Sequence, residues 1–589
     1  MDMYNFYMGR VFDAYKYLGA HFSENGTVFR TYAPNAAKVS LLHNGNELSM
    51  QKVYDGNFYE LQVENAVPGD LYEYRIYLRN GSYTDHSDPY GFQMELRPDH
   101  KSIVSDQSGF AFQDGTWMKK RDAMHNKPLN IYEMHLGSWE KKADGTWYRY
   151  DELARPLTEY LKKTGYNYVE FMPICEHPTD ESWGYQNTGF YAPTSRYGSP
   201  FQLKQLIDTL HRNGIGVLLD FVPVHFAVDP YGLAQYDGTA LYEYPHQDVG
   251  VSEWGSYNFM HSRGEVRSFL QSAADYWLRE YHFDGLRMDA ISRIIYWQGD
   301  ERRGVNGNAV DFIKVMNRGL KERNPGCILA AEDSTNYPNV TLDVDHGGLG
   351  FDYKWDMGWM HDTLEYFQAL PKERTAKYHK LTFSMMYFYN ERYLLPFSHD
   401  EVVHGKATIL NKMSGRYEDK FPQARSMYLY MMVHPGKKLN FMGNEIGQFR
   451  EWDENREQDW SLRSYPAHDS FYTYMTELNQ LYESHSALWE NDYSREGFQW
   501  LDCHLEEKCV YIIERRSKEE TLIAAFNFSS HEQTASIKPS GTQLTVLLHT
   551  DWEKYGGRTP EREIKTAIQK EGMTLSLAPF SGMLMVSHE

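Results

Sequence analysis

Cysteine is scarce: four in 589 residues, at Cys175, Cys327, Cys503 and Cys509, with none of the close spacings that hold a metal. That excludes a disulfide frame and points to thiols in a reducing compartment. No apolar run approaches the roughly 18 residues a membrane span needs. The stretch from Met1 to Val11 carries aromatic residues, Asn and Asp rather than the apolar core of a signal peptide. A soluble, cytoplasmic protein is therefore expected. Basic clusters are short too, and Lys119-Lys120-Arg121 and Arg515-Arg516 have acids beside them. With a formal net charge of −21, this leaves no surface suited to nucleic acid or to an anionic membrane. There is no short-period repeat and no low-complexity segment.

What is present is material for a large core: 41% hydrophobic residues and 15% aromatic, including 46 Tyr and 14 Trp. The length suits two to four domains. Between Gly26 and Leu78, short runs (28–32, 39–42, 58–63 and 72–78) are separated by turn formers such as Pro34-Asn35 and Pro68-Gly69. That pattern predicts an antiparallel β-sandwich.

The middle of the chain alternates strand-like runs with helical patterns. Eight strands are predicted, at 130–134, 168–172, 216–220, 285–289, 328–332, 351–355, 394–398 and 438–442. Eight is the number that closes a parallel (β/α)8 TIM barrel. Ser199 as N-cap, Pro200 in the first turn, the apolar face Leu203, Leu206, Ile207 and Leu210, and Gly214 as stop delimit one intervening helix. A less regular insertion, about 226 to 262, follows the third strand. The last hundred residues turn β-like again at 510–513, 522–526, 544–548 and 575–577. The fold class expected is multidomain α/β: a central barrel flanked by N-terminal and C-terminal β-sandwich domains, over residues 1–115, 116–485 and 486–589.

Polar residues at the C-terminal ends of barrel strands carry chemistry, because that face holds the active site of such barrels. Strand three ends in Asp220, with His225 close behind. Strand four ends in Arg287-Met288-Asp289, strand five in Glu332, and strand seven in His399-Asp400. A single acid at a strand end is ordinarily a loop residue or a helix cap; four such clusters on four strands point to a site. Retaining cleavage of a glycosidic bond needs two carboxyl groups about 5 to 5.5 Å apart. Arg287 lies two residues from Asp289, on the same side of the strand. It would hold that carboxylate ionised and orient it, which suits a nucleophile. Glu332, with no Arg at that spacing, suits the general acid/base. Asp400 would accept hydrogen bonds from ring hydroxyls, His225 and His399 would donate to them, and Tyr185 would stack beneath the reacting sugar.

These clusters resemble the four signature regions of the α-amylase superfamily, glycoside hydrolase family 13. Asp220 and His225 match the first region, Arg287 and Asp289 the second, Glu332 the third, and His399 and Asp400 the fourth. Longer stretches, at 132–139, 183–194, 398–406 and 441–445, with 450–452 and 18–21, are similar to bacterial glycogen branching enzymes. The resemblance covers nearly the whole chain. It implies a transferase that cuts an α-1,4-glucan (glycogen, amylose or amylopectin) and joins the chain to a glucan 6-hydroxyl, with catalytic Asp289, Glu332 and Asp400. It also implies substrate-binding Tyr185, Asp220, His225, Arg287 and His399, and an N-terminal domain like a glycogen-binding carbohydrate module.

Two departures stand out. Asp333 occupies a position where Glu is more usual, and the segment 254–259 matches only loosely. Val224 stands where many α-amylases place an Asn that helps bind calcium, and its side chain has no oxygen. No metal and no cofactor are expected, and a monomer is. The competing readings are a hydrolase (α-amylase-like or trehalose-forming) with the same carboxylates, and a glucan-binding protein on a decayed barrel.

Overall fold

The computed structural model describes residues 1–562, 564–569 and 571–588. Eight strands close into a barrel in chain order: Asn130–Met134, Tyr168–Phe171, Gly216–Phe221, Gly285–Met288, Ile328–Ala331, Tyr353–Trp355, Tyr393–Phe397 and Lys437–Phe441. All eight fall where the apolar runs predict them. Every residue of these strands is buried, as expected for parallel strands covered on both faces. The predicted helix forms over Pro200–Arg212 with a reciprocal capping box between Ser199 and Gln202.

By packing, the chain divides into two compact units. The first comprises residues 1–123, 135–158 and 170–351; the second comprises 124–134, 159–169 and 352–589.

Within the first unit, the N-terminal region folds as two antiparallel sheets. One runs Gly19–Ser23, Gly26–Tyr32, Phe58–Val63, Gln51–Val53; the other runs Asn46–Ser49, Lys38–His43, Leu71–Tyr77, Tyr83–His86. Phe29, Val39, Leu41, Phe58, Tyr72, Tyr74 and Ile76 form the buried inner faces. These sheets rest on the long insertion after the third barrel strand. Thr31 Oγ1 lies 2.6 Å from Tyr236 OH, the Asn35 amide donates to Asp237 Oδ2 at 3.0 Å, and His86 Nδ1 meets the Gly232 carbonyl at 2.8 Å. The insertion is thus pinned from outside. Its base is pinned from inside by a short antiparallel pairing of His225–Phe226 with Tyr257–Asn258.

Within the second unit, the C-terminal region builds a six-stranded sheet in the order Phe498–Leu505, Val510–Arg516, Thr521–Asn527, Ser581–His588, Gln543–His549, Lys565–Ala567. A two-stranded sheet, Gln533–Ile537 with Met573–Leu577, faces it across a core that includes Ile512, Ile523, Leu544, Leu577 and Met585. Four of these eight strands escape the sequence pattern: Phe498–Leu505, Gln533–Ile537, Lys565–Ala567 and Ser581–His588. Phe498–Leu505 has no fully buried residue, so its alternation is weak. The strand at Met573–Leu577 is not the last, because Ser581–His588 follows it after the Pro579-Phe580 turn.

Candidate active site

In the first unit, parallel register sets the site. Asp220 pairs with Arg287 across strands three and four, and Arg287 with Ala330 across strands four and five. Arg287 is therefore the hub. Its Nη1 reaches Asp220 Oδ1 and Oδ2 at 2.8 and 2.9 Å and Asp289 Oδ1 at 2.8 Å, while Nη2 lies 3.6 Å from Glu332 Oε2. Burial opposes a charge on Arg287, but the carboxylates of Asp220, Asp289 and Glu332 outweigh it and keep the guanidinium protonated.

The two candidate reacting carboxyls differ from their supports in exposure. Asp289 and Glu332 show 17% and 18% of their side chains to solvent, whereas Arg287 and Asp220 show 2% and 0%. A buried pair holds two accessible acids. Glu332 is not clear of Arg287, as sequence spacing alone suggests, but it is farther from it than Asp289 is. Its Oε2 instead accepts the Ala290 amide at 2.7 Å. That amide is aimed by a left-handed Ala290 (φ 47°) directly after Asp289, a conformation that non-glycine residues adopt at a cost.

Tyr185 donates to Asp220 Oδ2 at 2.5 Å, and its ring lies 6.0 Å from the Arg287 guanidinium. The turn that presents it needs glycine. Gly184 sits at φ 88°, and a Cβ there would stand 2.2 Å from the Pro173 carbonyl oxygen. Asn187 Nδ2 clamps the Gly184 carbonyl at 2.6 Å. His225 Nδ1 lies 2.6 Å from Ser256 Oγ, which in turn meets Ser252 Oγ at 2.6 Å. Burial lowers His225 to about 4, so it is a neutral hydrogen-bonding group at working pH. Asp333 turns its Oδ1 onto the Thr335 amide and hydroxyl, at 2.9 and 2.8 Å.

The second unit carries the other residues expected at the site. His399 follows strand seven and is held by the fully buried Glu133 of strand one. Its amide donates to Glu133 Oε2 at 3.0 Å, and Nδ1 lies 2.5 Å from Oε1. Nε2 is left toward Asp400, 3.7 Å away; the Asp400 side chain is 51% exposed. The family-like stretches around this pair are its scaffolding. Glu451 accepts the Gly405 and Ala407 amides at 3.1 and 2.8 Å, and the Trp452 amide donates to the Val402 carbonyl at 3.0 Å. Glu445 accepts the Tyr132 and Tyr160 hydroxyls at 2.8 and 2.6 Å.

Sequence reasoning missed three of these supports: Glu133, Ser256 and the Ala290 amide. Only Glu133 left a signal, an acid inside the otherwise apolar strand Ile131-Tyr132-Glu133-Met134. Among the described residues, no group of three or more His, Cys, Asp or Glu is arranged to hold a metal ion. Val224 is buried, and its carbonyl accepts the Phe259 amide at 3.1 Å.

Three family models match in order: "Carbohydrate-binding module 48 (Isoamylase N-terminal domain)" at residues 17–91, "Alpha amylase, catalytic domain" at 157–235, and "Alpha amylase, C-terminal all-beta domain" at 500–587. The 1,4-alpha-glucan branching enzyme GlgB of Fusobacterium nucleatum is 42% identical over 579 residues, 96% of this chain and 94% of its own length. The chain belongs to the 1,4-alpha-glucan branching enzyme family. The GlgB enzyme of Bacillus subtilis is likewise 42% identical, over 94% of this chain and 91% of its own. The fold extends further: a pullulanase from Anoxybacillus sp. LM18-11, complexed with maltotetraose, superposes with a TM-score of 0.77 at 17% identity, over 100% of this chain and 89% of that one. As a branching enzyme, this is a glycosyltransferase on a glycoside hydrolase family 13 scaffold, and its substrates are α-glucans.

Proposed function

We propose that this branching enzyme works by double displacement through a covalent glucosyl-enzyme on Asp289. An Asp289 carboxylate oxygen attacks the anomeric carbon of an α-1,4 linkage. The bond to O4 breaks as Glu332 gives that oxygen its proton, and the shortened chain departs. Glu332, now a carboxylate, takes the proton from a glucan 6-hydroxyl as O6 displaces Asp289. One α-1,4 bond is lost, one α-1,6 bond is formed, and no water is consumed. The two inversions together retain the anomeric configuration.

The observation that carries this reading is the single guanidinium of Arg287, 2.8 Å from Asp289 and 3.6 Å from Glu332. It favours the ionised form at the nearer acid and leaves the farther one more able to hold a proton. Asp400 would accept hydrogen bonds from ring hydroxyls as positive charge develops on the sugar. His225 and His399 would each hydrogen-bond to sugar hydroxyls, Tyr185 would stack beneath the reacting sugar, and Asp220 would brace Arg287. We assign residues 1–115 to glucan binding, 116–485 to catalysis and 486–589 to a supporting β-domain. A monomer in the cytoplasm, binding neither nucleic acid nor metal, accords with four scattered cysteines in no disulfide and a net charge of −21.

Incubation with amylose tests the outcome. Branching lowers iodine colour without a matching rise in reducing ends, and the colour returns after debranching. A proportional rise in reducing ends would mean water is the acceptor and the chain hydrolyses.

A further inference from the structure

Past the N-terminal sheets the chain makes a detour that the scheme above does not use. Residues 94–102 fold back on themselves, with Met94 bridged to Ser102 and the Glu95 amide donating to the Lys101 carbonyl at 2.9 Å. Ser195, in the stretch after barrel strand two, ties this loop down by donating its hydroxyl to the Met94 carbonyl at 2.5 Å. Near the tip stands Arg97. Its Nε donates to Asp180 Oδ1 at 2.8 Å and its Nη2 donates to Asp180 Oδ2, so the fork takes both carboxylate oxygens. The same guanidinium lies over the ring of Trp147, in the loop after strand one, 5.0 Å from its centre.

Asp180 is the outer corner of the loop that presents Tyr185. The base of that loop is closed by Arg196, whose Nη1 donates to Glu176 Oε1, the His177 carbonyl and Thr194 Oγ1 at 2.9, 2.8 and 3.0 Å. Arg196 Nε also reaches Asp180 Oδ1, at 2.8 Å. Burial opposes a charge on Asp180, but the two guanidinium groups outweigh it and hold the carboxyl below the usual carboxylate range.

From this corner two backbone hydrogen bonds lead to the site. Asp180 opens the single turn Asp180–Ser182, and the amide of the left-handed Trp183 (φ 56°) donates to the Asp180 carbonyl at 3.0 Å. The Tyr185 amide then donates to the Ser182 carbonyl at 2.9 Å, and the Tyr185 hydroxyl reaches Asp220 beside Arg287. No residue of the turn Asp180–Ser182 is buried, so apolar packing does not fix it. The arginines do.

We propose that Arg97, through Asp180, is a positioning residue for Tyr185: the loop that leaves the N-terminal sheets holds in place the ring on which the reacting sugar stacks. The N-terminal region thereby takes part in the chemical step, apart from any glucan it binds. This rests on the stacking role given to Tyr185 above.

R97M keeps bulk beside Trp147 and removes the fork. It is expected to lower kcat for branching of amylose about tenfold, as a misplaced positioning group does, with little change in KM, which the rest of the sugar chain sets. R97K restores the charge as a point rather than a fork, so it should recover part of the loss. D180N, which removes the charge both arginines share, should lower kcat at least as far as R97M. The deciding measurement is a double-mutant cycle. With Y185A in place no ring is left to position, so adding R97M should change kcat by no more than about twofold. If thermal melting shows that R97M does not fold, R97K carries the cycle. An equal factor in the parent and Y185A backgrounds overturns the proposal, as does a parental kcat in folded R97M and D180N. If Y185A itself keeps the parental kcat, the stacking role of Tyr185 fails and the proposal with it. An impaired Y185A with an unmoved R97M removes the Arg97 link alone.

Discussion

At the scale of single residues, the supports of the reacting groups make the sharpest predictions. Glu133 is fully buried and uses both carboxylate oxygens on His399. A glutamine there keeps the shape but offers one acceptor and one donor, so it cannot accept from both the His399 amide and its Nδ1–H. E133Q is expected to lower kcat about tenfold to a hundredfold, the usual cost of losing a partner that orients a site histidine. It should alter the pH profile while KM for amylose changes little. A parental kcat and pH profile would reduce Glu133 to packing. D289N is expected to lower branching by about four orders of magnitude, measured as α-1,6 linkages formed, while leaving the melting temperature near the parent's because Arg287 keeps Asp220. The contrast explains what was readable. Asp289, Glu332, His399 and Asp400 announce themselves because the chemistry demands those residue types at strand ends. Glu133 lies 266 residues from the histidine it holds, and nothing local in the sequence links the two.

At the scale of elements, the helix Pro200–Arg212 ends in a buried charge cluster at the opposite, N-terminal end of the barrel strands. His211 lies between Asp114 and Asp284, at 2.7 Å from each. His282 joins Asp114 at 2.8 Å, and Trp117 Nε1 and the Val217 amide both donate to Asp284 at 2.8 Å. Burial opposes a charge on His211, but the carboxylates of Asp284 and Asp114 prevail and push it up to about 9. A histidine whose folded pKa exceeds its unfolded value of about 6.5 stabilises fully below 6.5 and loses that contribution as pH rises through 9. The melting temperature should therefore fall between about pH 6.5 and 9, and H211Q should flatten that slope while lowering stability at neutral pH. A slope equal to the parent's would rule the cluster out as its cause. The turn at Trp183-Gly184-Tyr185 gives a second test. G184A forces a Cβ against the Pro173 carbonyl, so Tyr185 must shift; activity should drop about tenfold or more, as misplaced positioning groups do, with a smaller loss of stability. The eight barrel strands were legible because burial on both faces writes them as continuous apolar runs. Phe498–Leu505 was not, because its half-exposed residues and a bulged register near Asp502 break the alternation that marks a strand.

At the scale of the whole molecule, the first eighteen residues change how the chain is understood. By sequence they fall inside the N-terminal domain, 1–115, ahead of its first predicted strand at 28–32. Instead they form part of the packing around the barrel. Phe6, Val11, Ala14, Tyr15 and Leu18 are buried. Three polar residues of the barrel helix Gly264–Glu280 reach out to this backbone: Ser268 to the Phe6 carbonyl at 2.9 Å, Gln271 to the Gly9 carbonyl at 3.0 Å, and Ser272 to the Ala14 amide at 3.0 Å. Two helix glycines make room for it, since a Cβ on Gly264 would meet the Tyr7 carbonyl oxygen at 1.7 Å and one on Gly319 the Phe12 ring at 2.1 Å. Deleting residues 1–15 strips away four of these apolar side chains and leaves Ser268, Gln271 and Ser272 without those backbone partners. The expected loss is on the order of 5 kcal/mol, read as a large drop in urea midpoint at unchanged protein concentration. G319A should act through the same contact and lower the midpoint by a smaller step, with no effect on the catalytic carboxylates. If the deleted chain melts where the parent does, this segment is an ornament on the barrel rather than part of its wall.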